Sequence, residues 1–174
     1  MKRAFIATAF LLLVFSAGFA QKGDYEVDER SSFTDRIYFG GGFGLSGGTN
    51  TTQITLSPIV GYMVSSRFSV GVGVTYQYYK YFNFQDNQYG GLLFTRMNLV
   101  KQIFAYGEYS FINQTDYRDG VSRITIDRLP IGLGISQSLG GRSSLNLIAA
   151  YDLLYESNGG YYTSPWVFSV FFSI

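Results

Sequence analysis

Four charged residues interrupt segments that otherwise alternate between bulky apolar and small side chains: Arg96, Glu108, Arg128 and Asp152. Each falls on the face shared with glycine, serine and threonine. Two cations and two carboxylates enclosed on such a face could line an ion path or gate, or could pair into a polar plug that fixes strand register. A charge held among apolar walls is costly unless it is paired and hydrogen-bonded. In an antiparallel hairpin, facing residues have numbers that sum to a constant set by the turn. With one connection centred near residues 117–118, Glu108 is expected opposite residue 127. With Gly140-Gly141 centring the next hairpin, Asp152 is expected near residue 129. Arg128 is therefore expected between two carboxylates, with Arg96 nearer the opposite end. The plug is the preferred reading, because a small closed sheet leaves no aqueous channel.

Other chemistry is thinly represented. Histidine is absent, and it is the commonest general base near neutral pH. Cysteine is absent too, which excludes disulfides, thiolate metal sites and a lipid-modified cysteine. Gly42-Phe-Gly-Leu-Ser-Gly47 matches a dinucleotide-binding fingerprint in letters, but that motif works only when it opens a helix. Here Thr49 to Thr55 continues as a turn and a strand, so the glycines are read as space for large neighbours. Asp116-Tyr-Arg-Asp119-Gly120 lacks the ligand spacing of a calcium loop and reads as a solvated turn. The sequons at Asn50 and Asn113 are read as chance. No catalytic, cofactor or metal site is expected, and no paired-carboxylate cleft is visible.

The elements that must position the four charges follow an export signal. Lys2 and Arg3, the apolar run Ala4 to Phe15, and small residues at Gly18 and Ala20 predict cleavage before Gln21. The run is shorter than the roughly 20 residues of a spanning helix. Removing Lys2 and Arg3 from 13 basic and 12 acidic residues leaves a net charge near −1, which gives no electrostatic case for nucleic acid. Charged residues are 14% of the chain and aromatics 18%, against about 25% charged in soluble domains. Residues 21–35 are polar and aperiodic, and are expected to form a flexible leader before a single domain over 36–174.

In Phe68-Ser-Val-Gly-Val-Gly-Val-Thr-Tyr76 the alternation is unbroken. Successive strand side chains point to opposite faces, so this segment has one bulky face and one small one. The pattern predicts eight strands near 36–46, 52–64, 67–79, 89–99, 102–112, 123–139, 143–155 and 164–174. Each meets the roughly 9–11 residues that a tilted strand needs to cross a bilayer. Tight connections at Ser65-Ser66, Val100-Lys101 and Gly140 to Arg142 alternate with connections rich in Asn, Asp, Gly and Tyr. Ile37, Phe39, Phe43 and Leu45 are placed outward, as are Leu129, Ile131, Leu133 and Ile135. In the last strand Trp166, Phe168, Val170, Phe172 and Ile174 share that face. In the fourth and fifth strands, Gly91, Ala105 and Gly107 fall outward, and parity rests on keeping Arg96 and Glu108 inside.

On strand number, alternation, turn asymmetry and the aromatic last strand, the chain resembles the small eight-stranded outer-membrane barrels of the OmpA/OmpX-like kind, the outer membrane protein beta-barrel domain family of Gram-negative bacteria. The resemblance implies an all-β, closed, antiparallel transmembrane barrel in the bacterial outer membrane with both termini periplasmic. It implies outer-membrane lipid and lipopolysaccharide as surroundings, and barrel-assembly machinery as a partner that reads the strand Trp166–Ile174. That strand departs from the usual pattern by ending in Ile174 and not in an aromatic residue. The enzymes among such barrels resemble one another in relying on a catalytic histidine, which this chain lacks. The implied role is non-enzymatic: a barrel with a side-chain-filled lumen, serving envelope structure or surface interaction through its external loops.

Aromatic residues cluster at strand ends, as interfacial belts do. Tyr81, Phe82 and Phe84 lie beyond the apparent end of the third strand and are the candidate external contact loop for an unidentified partner. Two rivals are a narrow porin-like channel and a secreted lipocalin-like binder of an apolar ligand. The second would reverse every face and leave an outside of Gly, Ser and Thr, whereas soluble surfaces carry mixed charge.

Overall fold

The computed structural model describes residues 32–47, 51–82, 84–116, 118–157, 161 and 164–174. The export signal and most of the expected leader lie outside the described residues. The end of that leader, Thr34–Arg36, is a 3-10 turn. It is tied to the strands: the Phe33 ring lies 5.0 Å from that of Tyr62, and Arg142 Nη2 donates to the carbonyls of Asp35 and Ile37 at 3.1 and 2.8 Å.

Nine ladder segments follow, β1 (Ile37–Gly47), β2 (Thr51–Met63), β3 (Phe68–Tyr81), β4 (Phe84–Val100), β5 (Ile103–Thr115), β6 (Arg123–Arg128), β7 (Pro130–Gly140), β8 (Ser143–Asp152) and β9 (Trp166–Ser173). They run β4-β3-β2-β1-β9-β8-β7-β5-β6, and β4 also pairs with β5, so the sheet closes on itself. β6 and β7 are two halves of one wall strand. Both face β5 in one register, Ser110↔Arg128 before the break and Gly107↔Ile131 after it. The break falls at Leu129-Pro130, where proline lacks the N–H that would continue the ladder. The fold is a closed, antiparallel, eight-stranded barrel.

Alternation sets the faces. Phe39, Leu56, Val72, Val74, Leu133 and Phe168 all point outward and are between 51% and 77% exposed. The charged strand residues that face outward among those described are Lys80, Arg123 and Asp127, each toward the long-connection end of its strand. At the opposite end the turns are tight: Gly140 and Gly141 take φ of 106° and 58° to reverse the chain.

The fourth strand starts earlier than expected, at Phe84 and not at 89, and the third runs on to Tyr81. The expected contact loop is thus a hairpin in which Tyr81 faces Phe84. Its polar sequence hid a ladder of side-chain bonds. Tyr76 Oη donates to Asn87 Oδ1 at 2.8 Å, and Gln77 Nε2 donates to Gln88 Oε1 at 3.0 Å. The β5–β6 hairpin is also centred later than expected. Its register brings Glu108 level with Pro130, not with residue 127.

One seam is short. β1 and β9 pair at Gly40↔Ser173 and Gly41↔Phe172, extended by reciprocal bonds between Phe39 and Ile174 of 2.9 and 2.8 Å. Both strands continue beyond this point without a recorded ladder pair, whereas β1 pairs with β2 all the way to Gly47↔Thr52. A Cβ on Gly40 would overlap the Phe172 carbonyl, and on Gly42 it would stand 3.2 Å from the Val170 carbonyl; on Gly44 no β9 atom comes within 4 Å.

Candidate functional site

The inner face has two levels. In the tight-turn half, Phe94, Phe104 and Ile148 are 1%, 0% and 4% exposed and pack with Ile59, Ala150 and Phe171. Inner glycines make room for the rings: a Cβ on Gly134 would overlap the Phe104 ring, and one on Gly71 the Phe94 ring. Phe94 stacks against Tyr106 with ring centroids 6.0 Å apart.

Arg96 lies in this half, as expected, but among neutral partners. Its Nε donates to Asn98 Oδ1 at 3.2 Å and its Nη1 to Asn146 Oδ1 at 3.0 Å, while the guanidinium sits 4.0 Å over the Phe104 ring. The fully buried Asn146 amide donates onward to the hydroxyls of Ser144 and Ser173, at 3.2 and 3.1 Å. Arg96 and Asn146 thus find neutral partners, which is what permits their burial. The layer spans the barrel from β4 to β8 at this end.

The long-connection half is different. A lumen filled by side chains was expected throughout; instead a cavity of about 1260 Å³ occupies the barrel above Phe94, Tyr106 and Ile148, reaching Gly120 and Tyr161. It exists because the inner rows there are small or slender: Gly42, Gly44, Ser57, Thr75 and Ser110 replace rings. Its floor is apolar and its side walls carry hydroxyls and neutral amides. Inner positions beside the short seam are open, with both Gly44 and Ser169 exposed.

The remaining three predicted charges meet this cavity or its rim. Arg128 Nε donates to Asp152 Oδ2 at 2.9 Å, and Asp152 Oδ1 accepts from the amides of Leu129 and Leu154 at 2.9 and 3.1 Å. Glu108 is held by Tyr106, whose hydroxyl donates to Oε2 at 2.6 Å. Within 4.0 Å, the carboxylate that Arg128 meets among the described residues is Asp152, not Glu108. The later hairpin centre accounts for the difference, since it moves Glu108 along the wall. Arg128 and Glu108 both line the cavity.

A second polar cluster was missed by sequence reasoning. Asp86, with its side chain 1% exposed, accepts from Thr115 Oγ1 at 2.7 Å, from the Thr115 amide at 3.2 Å and from Gln88 Nε2 at 3.0 Å. Arg123 Nη1 stands 3.6 Å from it, and Arg123 Nη2 donates to the carbonyls of Asn87 and Asn113, both at 2.9 Å. The cluster clasps β4, β5 and β6 at the loop end. The available signal was phase: Asp86 and Gln88 share parity with Leu92, Phe94 and Arg96.

Of the candidate contact residues, Phe82 is 57% exposed and is the non-glycine residue with positive φ, 51°, among those described. Phe84 is half-buried and lines the cavity, and the Tyr81 side chain lies outside the described residues. Trp166, Phe168, Val170, Phe172 and Ile174 all face outward, and Trp166 packs edge-on against Tyr151 at 5.5 Å. No group of three or more potential metal ligands occurs among the described residues. No protein family, curated protein or solved structure matches this chain.

Proposed function

We propose that this chain is a non-enzymatic integral barrel of the bacterial outer membrane, OmpA/OmpX-like in kind, in which the loop end is a binding cup at the cell surface and the turn end faces the periplasm. The observation that carries the reading is the outer wall. Rows of exposed Phe, Leu, Ile and Val encircle it, and its few strand charges sit toward the loop end. A soluble monomer rarely exposes a contiguous apolar patch beyond a few hundred Å², whereas a membrane barrel requires an apolar band about 25 Å tall.

The packed turn half favours a cup over a pore. An ion crossing the barrel would have to pass the buried rings of Phe94 and Phe104 and the Arg96–Asn146 layer. The cavity favours contact with a small molecule, and exposed Phe82 at a hairpin tip adds a second point of contact. Barrel-assembly machinery is the partner proposed for the strand Trp166–Ile174.

Membrane fractionation with heat-modifiable gel migration tests the placement. The protein is expected in the outer-membrane fraction, to need detergent for extraction and to migrate faster before boiling. Recovery in a detergent-free soluble fraction would overturn the proposal. Planar-bilayer recording separately tests the cup: the purified barrel is expected to be silent, and regular single-channel steps would favour the porin-like reading.

A further inference from the structure

We infer that the gap between β1 and β9 is a side entrance through which a single-chain amphiphile passes from the surrounding lipid into the cup. This rests on the membrane placement proposed above. The gap starts where the ladder stops at Gly41↔Phe172, and Gly44 and Ser169 beyond that point are exposed. Its outer lip is apolar, with Phe43 and Phe168 exposed to 65% and 77% and Val170 to 54%. Phe43 and Val170, from the outward rows on either side of this seam, also line the cavity.

Three features point to an amphiphile and not to a simple solute. Among the described residues, the backbone N–H and C=O groups that β1 and β9 turn toward each other beyond Gly41 have no ladder partners. In hydrocarbon, where no water can bond to it, each such group is costly to leave unpaired. A head group carrying both donors and acceptors satisfies them, and an apolar molecule does not. Inside, Gln53, Thr55, Thr75 and Gln77 line the wall that leads away from the seam, offering hydrogen bonds without net charge. Below them Leu92, Phe94, Ile148 and Phe171 form an apolar floor that suits a tail. About 1260 Å³ exceeds the roughly 300–1,000 Å³ of ordinary ligand pockets, so the cavity holds head and tail together.

The test uses the full barrel in phosphatidylcholine vesicles containing a trace of lysophosphatidylcholine with a photoreactive diazirine in its tail. The chain has no cysteine, so Phe43→Cys with Val170→Cys introduces a single thiol pair across the gap, at positions that continue the existing register. Irradiation of the wild type is expected to label peptides carrying Phe94 or Ile148. Oxidising the thiol pair is expected to abolish that labelling, and reduction to restore it. Ser169→Trp, which obstructs the gap without needing a bond, is expected to abolish it as well, and it decides the matter if the thiols fail to join. Floor labelling that persists in both variants would overturn the side entrance and leave the cup and membrane placement intact. Labelling confined to outer rows such as Phe39 and Leu133 would overturn occupancy by a lipid tail. A barrel that does not insert into vesicles would instead sink the membrane placement.

Discussion

Arg128 and Asp152 form an ion pair across the wall where Pro130 interrupts the ladder, with Nε and Oδ2 separated by 2.9 Å and the aspartate side chain fully enclosed. The carboxylate also caps the Leu129 and Leu154 amides, so one side chain repairs the defect that proline introduces. The arrangement makes Asp152 the more critical partner. Breaking a buried pair costs about 3–5 kcal/mol, and Arg128→Ala is expected toward the low end, since the arginine side chain is 21% exposed and both amide bonds persist. Asp152→Ala loses all three contacts and is expected to cost more, while Asp152→Asn keeps an acceptor for the amides and falls between. Urea midpoints of the folded gel band measure the order.

The inner glycines separate into tight and roomy positions. At Gly134 a methyl group would collide with the Phe104 ring, whereas at Gly44 it would meet Thr55 Cβ at an ordinary 3.5 Å. Gly134→Ala is expected to destabilise by about 1–3 kcal/mol, the usual cost of overpacking. Gly44→Ala is expected to stay within about 0.5 kcal/mol of the parent. The same denaturation assay compares them.

The β7–β8 turn supplies a backbone test. Gly140 has φ of 106°, open only to glycine, and Gly141 has φ of 58°, which asparagine also adopts. Gly140→Ala is expected to cost about 1–3 kcal/mol, and Gly141→Asn much less. Refolding yield into vesicles provides a second readout.

Asp119 governs the connection between β5 and β6. The Ser122 hydroxyl and the amides of Val121 and Ser122, the latter two at 3.0 Å, donate to its carboxylate and hold its pKa below the ordinary value. A depressed folded-state pKa means that the contribution is complete above the unfolded value and is lost as pH falls through the folded one. The turn is therefore expected to stay ordered at mildly acid pH and to loosen only below the usual aspartate range. Amide exchange at Val121 and Ser122 across a pH series reports this, and Asp119→Ala is expected to remove the dependence.

Much of this architecture is legible because a sheet with two chemically different faces imposes a period of two on its sequence. Phe68 to Tyr76 and Leu129 to Ile135 reveal their orientation residue by residue, and Gly140-Gly141 marks its own turn. Where chemistry is similar on both faces, the period fades. Gln85 to Gln88 reads as loop, yet cross-strand amide and tyrosine bonds hold it in β4. Glu108 was misplaced because the centre of a long connection does not fix the centre of its hairpin. The cavity and the open seam were hidden for another reason. Empty volume depends on which small residues face one another across the ring, and no turn sets the register of the first strand against the last.

Closing the ring brings residues 39–41 against 172–174, near the two extremes of the described chain, across a ladder far shorter than any formed between sequence neighbours. Joining such distant segments carries the largest loop-closure entropy in the molecule and gains the fewest contacts in return. Circularisation is accordingly expected to be the last event in folding and the first to reverse, which would make this seam the line along which the barrel unzips.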